Sequence, residues 1–304
     1  MDAAQLRTLR SYRASVWRHG LLFFAARAAA HAGMVRAAID LQEEGVSTAE
    51  RIGLAEYEAE ALLALARLHV HAGDFAGADA DLARASAALG RVESATSRAW
   101  LGADRLELLA TRRLPDDPAF AAAALDSVVA FFAERGNVLR LASALGARAE
   151  ALLALGRTGE AERDLERVVA LVEEQGRGVG SLDRRAGLFD AAQASVDRLI
   201  SLALERGDAL DALRVLERAR AVLGRGALTN MGSRDVASRS APDPGLPPGT
   251  AALEYALLGD TLVAWAVRAG ALSVHRAPVA VEELHRLADR VHALAARHSG
   301  ACSA

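Results

Sequence analysis

Residues 59–90 carry the sequence AEALLALARLHVHAGDFAGADADLARASAALG, and this stretch decides the fold of the chain. Apolar residues recur there at helical spacing on both sides of a break at Gly73-Asp74-Phe75. Before the break these residues are Leu62, Leu65 and Ala66, and His69 occupies the next position of the same stripe. After the break they are Ala78, Leu82 and Ala85. Alanines at 66 and 78 would let two helices approach closely. The stretch therefore predicts two antiparallel α-helices joined by a tight glycine turn.

The same pattern occurs around two further glycines. In all three copies, alanine follows the turn glycine by five residues, leucine by nine, and alanine or valine by twelve; the three glycines are Gly73, Gly156 and Gly207. Weaker copies surround Gly33 and the irregular turn at 114–118, where Pro118 is expected in the first turn of a helix. Repetition of one helical hairpin predicts a repeat protein.

The pattern resembles the tetratricopeptide repeat, a helix–turn–helix unit of about 34 residues, over roughly residues 20–224. Two departures stand out. Arg148 occupies a position where the first helix of that repeat usually shows leucine. The clear turns are also unevenly spaced, since the interval from Gly73 to Gly156 is much longer than the interval from Gly156 to Gly207. Long helices or inserted turns would have to absorb the difference.

Tetratricopeptide arrays stack into a superhelix with a concave binding surface. By resemblance, the outward positions of the first helix in each pair would line this groove. Those positions hold Arg67, Asp104, Glu150 and Asp197. Their mixed charge suits a protein or peptide segment better than a nucleic acid, although each residue could also be an ordinary solvated helix residue.

The helical pattern ends near residue 224. Residues 225–250 are rich in glycine, proline and serine and predict a linker. Beyond it the apolar period changes to two, which predicts a three-strand antiparallel meander and then a helix over 281–297. The expected strands are Ala251–Leu258, Thr261–Arg268 and Ala271–Arg276, separated by Gly-containing pairs. The predicted fold is thus mainly α: a helical-hairpin array over 1–224, a linker over 225–250 and a small α/β segment over 251–304.

The end of the array and the first strands together resemble the junction of CHAT-domain proteins. The segments that carry the resemblance are LERARA at 216–221, PGT at 248–250, ALEY at 252–255 and LVAWAV at 262–267. In that family a tetratricopeptide array precedes a caspase-like peptidase domain, so the resemblance implies that 251–304 begins such a domain. The family's His–Cys dyad would lie beyond the meander, at positions that these 304 residues do not contain. We therefore expect no enzymatic activity.

Composition narrows the class of protein further. The chain has 36 basic residues, all arginine, against 39 acidic ones, and its net charge of -3 argues against a nucleic-acid partner. The longest apolar run, Gly20 to Ala26, is too short to span a membrane. Arg7 to Arg18 precede this run as in a signal peptide, but the charged stretch is too long for one. A single cysteine, Cys302, allows no internal disulfide and fits a reducing cytoplasm.

Candidate chemical sites are few and weak. Cys302 lies close to the end of the sequence, near His298 and His292, where a rigid catalytic arrangement is not expected. His285 and His292 are two helical turns apart, too far to share a zinc ion. The glycine-rich stretch 176–180 lacks the lysine of a phosphate-binding loop and predicts a flexible connection. We predict no catalytic, cofactor-binding or metal-binding residues.

The sequence therefore predicts a cytoplasmic protein-interaction scaffold, namely the substrate-docking or sensing arm of a CHAT-type protein without its protease core. Two alternatives stay open. One is the ligand-sensing helical repeat arm of a signalling or transcription regulator. The other is a fragment of an active caspase-like cysteine peptidase, with Ala304 not a natural end. Neither a particular partner nor an oligomeric state follows from the pattern.

Overall fold

The computed structural model describes the backbone of residues 3–178, 182–224, 250–268 and 271–280, with Arg286 and Arg290, and the side chains of 15–175, 192–220 and the strands. These described residues form ten helices and three strands. The elements are α1 Ala3–His31, α2 Val35–Ile52, α3 Ala55–Ala72, α4 Phe75–Leu89, α5 Ala95–Arg113, α6 Pro118–Glu134, α7 Val138–Ala154, α8 Thr158–Gly178, α9 Leu182–Glu205, α10 Ala209–Gly224, β1 Ala252–Leu258, β2 Thr261–Arg268 and β3 Ala271–Pro278. The mainly α fold with a small antiparallel sheet is confirmed.

Consecutive helices pack as hairpins, α1 with α2, α3 with α4, α5 with α6, and α9 with α10. The turn after the first helix adopts a left-handed backbone at Gly33, Gly73, Gly156 and Gly207, with φ between 72° and 79°. A side chain would be strained in this conformation, which is why glycine ends these helices. The predicted hairpins are confirmed at Gly33, Gly73 and Gly207, and the predicted turn is confirmed at Gly156.

The repeat is longer than the unit of about 34 residues that the sequence suggested. Two whole helices, α2 and α3, lie between Gly33 and Gly73, and the interval from Gly73 to Gly156 contains one additional hairpin, α5 with α6. This hairpin turns without a left-handed glycine. Instead, Asp117 caps α6 by accepting a hydrogen bond from the Phe120 N–H at 2.9 Å, and Pro118 occupies the first turn as predicted. The long interval therefore reflects a turn that lacks its glycine.

The chain divides into two compact units, Met1–Asp164 and Leu165–Ala304. In the first unit, the predicted apolar stripes of α3 and α4 are buried in one cluster that also contains Ile39, Val46 and Leu108. Ala66, Ala78 and Ala85 are completely buried. The small residues therefore permit the close helix approach that the sequence indicated, and a larger side chain at any of them would overpack the core.

In the second unit, the sheet has the order β1-β2-β3 with both pairs antiparallel. Trp265 on β2 is 0% exposed, and its Nε1–H donates to the Ala209 carbonyl at 3.0 Å. Arg276 on β3 donates to the Leu204 carbonyl at 2.8 Å. One face of the meander is therefore packed against the α9–α10 hairpin.

Two predictions near the ends of elements have different outcomes. The flexible connection expected over 176–180 is wrong for residues 176–178, because α8 continues to Gly178. Leu165, Val168 and Val172 carry a buried stripe along α8, and one glycine costs only about 1 kcal/mol in a helix, too little to end it. The helix predicted over 281–297 lies outside the described residues apart from Arg286 and Arg290, as do Cys302, His298, His292 and His285.

Candidate protein-binding surface

The four predicted groove residues all lie on first helices of the hairpins. Arg67 on α3 and Glu150 on α7 are exposed, whereas Asp104 on α5 and Asp197 on α9 are half-buried. Arg67, Asp104 and Glu150 belong to the unit Met1–Asp164, and Asp197 belongs to the unit Leu165–Ala304.

Asp104 is part of an ion-pair cluster between two neighbouring first helices. Arg140 on α7 contacts the Asp104 carboxylate, and its Nη2 also donates to Glu107 Oε2 at 2.8 Å. Ser143 Oγ donates to Glu107 Oε1 at 2.8 Å. Glu107 is only 3% exposed. One guanidinium thus lies between two carboxylates, and charge-assisted hydrogen bonds of this kind are among the stronger ones in proteins.

Local structure holds Arg140 in this position. Asn137 caps α7, since its side-chain oxygen accepts a hydrogen bond from the Arg140 N–H at 3.1 Å. The Arg140 guanidinium lies 5.1 Å from the ring centre of Phe132, which is buried against Trp100. A cation over an aromatic ring is stabilised electrostatically. The helix cap, the Phe132 ring and the two carboxylates therefore hold Arg140 in place together.

Glu60 on α3 extends this polar group toward α1. Much of its side chain is open to solvent. Nevertheless, desolvation by the surrounding helices raises the pKa of the Glu60 carboxyl, nearby Asp104 raises that pKa further, and His19 on α1 opposes both effects. Four successive first helices thus contribute to one group, His19, Glu60, Asp104, Glu107 and Arg140, which we name the first-helix row.

Four members of the first-helix row were not predicted from the sequence, namely His19, Glu60, Glu107 and Arg140. Glu60 has no local feature that distinguishes it from other helix glutamates. Glu107 follows Asp104 by three residues and so lies on the same helix face, which is a weak signal. The partner of both carboxylates, Arg140, is distant in the sequence, and only the packing of α7 beside α5 brings it there.

Asp197 is half-buried on α9 and is bonded within its own helix. Its Oδ1 accepts a hydrogen bond from Gln193 Nε2 at 2.6 Å, one turn back on the same helix. Burial raises the pKa of the Asp197 carboxyl, and the bond to Gln193 partly offsets that effect. This hydrogen bond stays within α9.

Arg148, the departure from the repeat pattern, has a structural role. Its Nε and Nη2 donate to the two oxygens of Asp164 on α8, both at 2.7 Å, and its Nη1 donates to Asp126 on α6 at 2.8 Å. The bond to Asp164 accordingly raises the pKa of the Arg148 guanidinium. Because Asp164 is buried, this bidentate pair ties α7 to the second helices rather than to the first-helix row.

His69 is paired with an acidic residue of the neighbouring helix α4. Its Nδ1 lies 2.9 Å from Asp81 Oδ2, and Arg84 donates to the other oxygen of Asp81 at 3.2 Å. The pair joins α3 to α4 inside one hairpin. No group of three or more potential metal ligands occurs within the described part of the chain.

An open cleft of about 540 Å³ lies between α4 and α5. Its charged lining residues are Asp79, Arg105, Arg112, Arg113, Asp116 and Asp117. Arg112 donates to Asp79 at 3.0 Å and to Asp116 at 3.3 Å. Because arginines and aspartates line the cleft together and two aspartates already neutralise Arg112, its mixed charge selects neither an anion nor a cation.

Among the helices described, none is long and apolar enough to cross a membrane.

No family model matches the chain, and no curated protein matches it. Among solved structures, the chain is similar to a putative kinesin light chain from Podosopora anserina with nearly identical TPR-like repeats. That match has 22% sequence identity and a TM-score of 0.47, and it covers 69% of this chain and 96% of the other. The chain is also similar to BtubC from P. vanneervenii, with 18% identity, a TM-score of 0.36 and coverage of 66% and 95%. Neither likeness says what this chain binds.

Proposed function

We propose that this chain is a protein-interaction scaffold that binds a peptide segment along its first-helix row. The observation that carries the proposal is the contact of Arg140 with Asp104 and Glu107 on the neighbouring first helix, with exposed Glu60 on the next first helix near Asp104. Helices packed side by side hold such side chains at fixed spacing, so a partner would meet a preorganised surface.

The charge of the row favours one class of peptide. Glu60 and Asp104 contribute two accessible carboxylates against the single guanidinium of Arg140, whereas Glu107 is buried beside Arg140. Exposed Arg67 follows Glu60 by seven residues and so lies on the same face of α3, about 10 Å further along. A matching peptide would place a lysine or arginine at Glu60 and an acidic residue near Arg67.

We further propose that the chain is the docking or sensing arm of a cytoplasmic CHAT-type protein and has no catalysis of its own. In this proposal, residues 1–224 are the array, 225–250 the connection and 251–304 the beginning of a caspase-like domain. Support comes from two of the segments that carry the family resemblance, because they contact each other: Arg220 binds Glu254 and the Tyr255 carbonyl.

The peptide-binding proposal can be tested with a random peptide display library selected against the full chain. Enriched peptides should carry a basic residue, and Glu60→Arg should weaken their binding at least about tenfold because the favourable charge contact becomes repulsive. Glu43→Arg is the matched control, since Glu43 is also exposed but lies on the second helix α2. Equal losses for both variants would contradict the proposal.

The peptidase alternative needs its own experiment. The full chain should leave the selected peptides intact, with or without a cysteine-alkylating reagent. Cleavage that alkylation blocks would replace the scaffold proposal with the peptidase alternative.

A further inference from the structure

Helix α1 has an apolar stripe on the side that faces away from α2. Its buried residues, His19, Ala26 and Ala29, lie on the opposite side, where α1 packs against α2. The stripe consists of Trp17, Leu21 and Phe24, which are 71%, 68% and 66% exposed. At 100° per residue these three side chains fall within an arc of roughly 60° and span about 10 Å of helix.

This arrangement is unusual for a surface helix, whose outer face is normally polar. Large apolar side chains grouped on one exposed face typically mark an interaction surface, and tryptophan and phenylalanine are enriched at such surfaces. The spacing i, i+4, i+7 matches the ridge that one helix presents to another.

The charge of α1 indicates which occupant fits. Its 29 residues include five arginines and no aspartate or glutamate. Of the arginines whose side chains are described, Arg18 and Arg27 are both exposed. In a second copy of this chain, the same helix would oppose arginine with arginine, which disfavours self-association through the stripe.

An anionic lipid surface fits less well than a protein. Arg18 is already paired with Glu44 on α2, and Arg36 on the same helix is paired with Asp40. These carboxylates reduce the local positive charge, whereas binding to anionic lipid through charge requires clusters of unneutralised basic residues.

We propose that the stripe of Trp17, Leu21 and Phe24 docks an acidic amphipathic helix of a partner protein. The partner's apolar ridge would cover the stripe, and a flanking carboxylate would lie near exposed Arg27, since Arg18 is already paired with Glu44. This surface is distinct from the first-helix row, so the inference does not depend on the proposed peptide site.

A panel of synthetic helical peptides of about three turns tests the proposal on the full chain. Each peptide carries leucines at i, i+4 and i+7, flanked either by glutamates or, in its counterpart, by lysines. Calorimetric titration at about 50 mM salt, where charge contacts are weakly screened, should show the glutamate peptides binding at least about tenfold more tightly.

The variant Leu21→Ser/Phe24→Ser should weaken glutamate-peptide binding at least about tenfold, because it removes apolar anchors of the surface. Leu139→Ser, which alters an exposed leucine on α7, is the matched control and should change binding less than about twofold. Unchanged circular dichroism would show that both variants fold.

Several results would overturn the proposal. These are equal binding of glutamate and lysine peptides, binding of neither, or equal losses in both variants. Sedimentation that shows self-association, lost in the double variant, would assign the stripe to a second copy. Binding to phosphatidylserine vesicles that needs Leu21 and Phe24, without peptide binding, would assign it to lipid.

Discussion

Two arginines of α7 are eight residues apart, and each lies between two carboxylates, yet they differ in what they join. Arg148 binds Asp164 and Asp126 on second helices, whereas Arg140 binds Asp104 and Glu107 on the neighbouring first helix. The two arginines therefore point in different directions from α7. The Arg148 pair closes a hairpin, whereas the Arg140 pair joins neighbouring first helices.

Another hairpin shows that the Arg148 pair is replaceable. Counted from the turn glycine, Leu199 and Val215 in the α9–α10 hairpin occupy the positions of Arg148 and Asp164, and both are buried. The same helical hairpin thus accepts either an ion pair or two apolar residues. Buried ion pairs often add little stability over apolar substitutes, although removing one partner is costly.

The largest expected effect is that of Arg148→Leu. This change leaves the buried Asp164 carboxylate without its bidentate partner and should lower the free energy of unfolding by about 3–5 kcal/mol. Urea titration of the full chain, followed by circular dichroism, measures the loss. A loss no greater than that of a surface substitution would show that the pair does not close the hairpin.

A smaller loss is expected for Arg140→Leu. Glu107 is as buried as Asp164, but it would keep its hydrogen bond from Ser143, and Asp104 is partly open to solvent. The free energy of unfolding should therefore fall by only about 1–3 kcal/mol. The same urea titration compares the two arginine variants directly. If Arg140→Leu destabilised the chain more than Arg148→Leu, the distinction between surface and hairpin pairs would be wrong.

The double variant Arg148→Leu/Asp164→Val sharpens the comparison, because it reproduces the residues of the α9–α10 hairpin. It should recover most of the stability lost in Arg148→Leu and come within about 1 kcal/mol of the parent chain. A double-mutant cycle in urea gives this value. Additive losses would mean that the two hairpins do not tolerate the same residues.

The smallest effect is expected for Glu60→Gln. The folded chain raises the pKa of Glu60, so the parent chain loses stability as pH rises from the ordinary carboxyl range through that raised pKa. Glutamine does not titrate, so the variant should be slightly more stable than the parent at neutral pH and equal to it in acid. Thermal unfolding at several pH values tests this, and a neutral-pH advantage for the parent would contradict it.

The hairpins were predictable because their signals are local. Apolar spacing around Gly73, Gly156 and Gly207 is contained within a few turns of chain, as are the glycine pairs between the strands. The hairpin around Pro118 was also predicted, but its signal is weaker because Asp117 and Pro118, rather than a glycine, form the turn. The repeat length of about 34 residues came from the resemblance alone and is shorter than the repeat in the structure.

The candidate site was less predictable because its contacts are distant in sequence. The helical pattern placed Asp104 on an outward position of α5, but it could not show that Arg140 would reach it from the next hairpin. Asp197 was selected by the same rule and proved to be hydrogen-bonded within its own helix. Outward position on a first helix therefore identifies candidates, and the packing between hairpins decides which of them form a surface.

The most direct test of the scaffold proposal is site-specific photocrosslinking of a display-selected peptide to the full chain. A crosslinking residue is placed at position 60 in one protein and at position 43 in another. The proposal predicts a peptide adduct at 60, on the first-helix row, and none at 43. An adduct at 43 alone, or equal adducts at both positions, would contradict binding along that row.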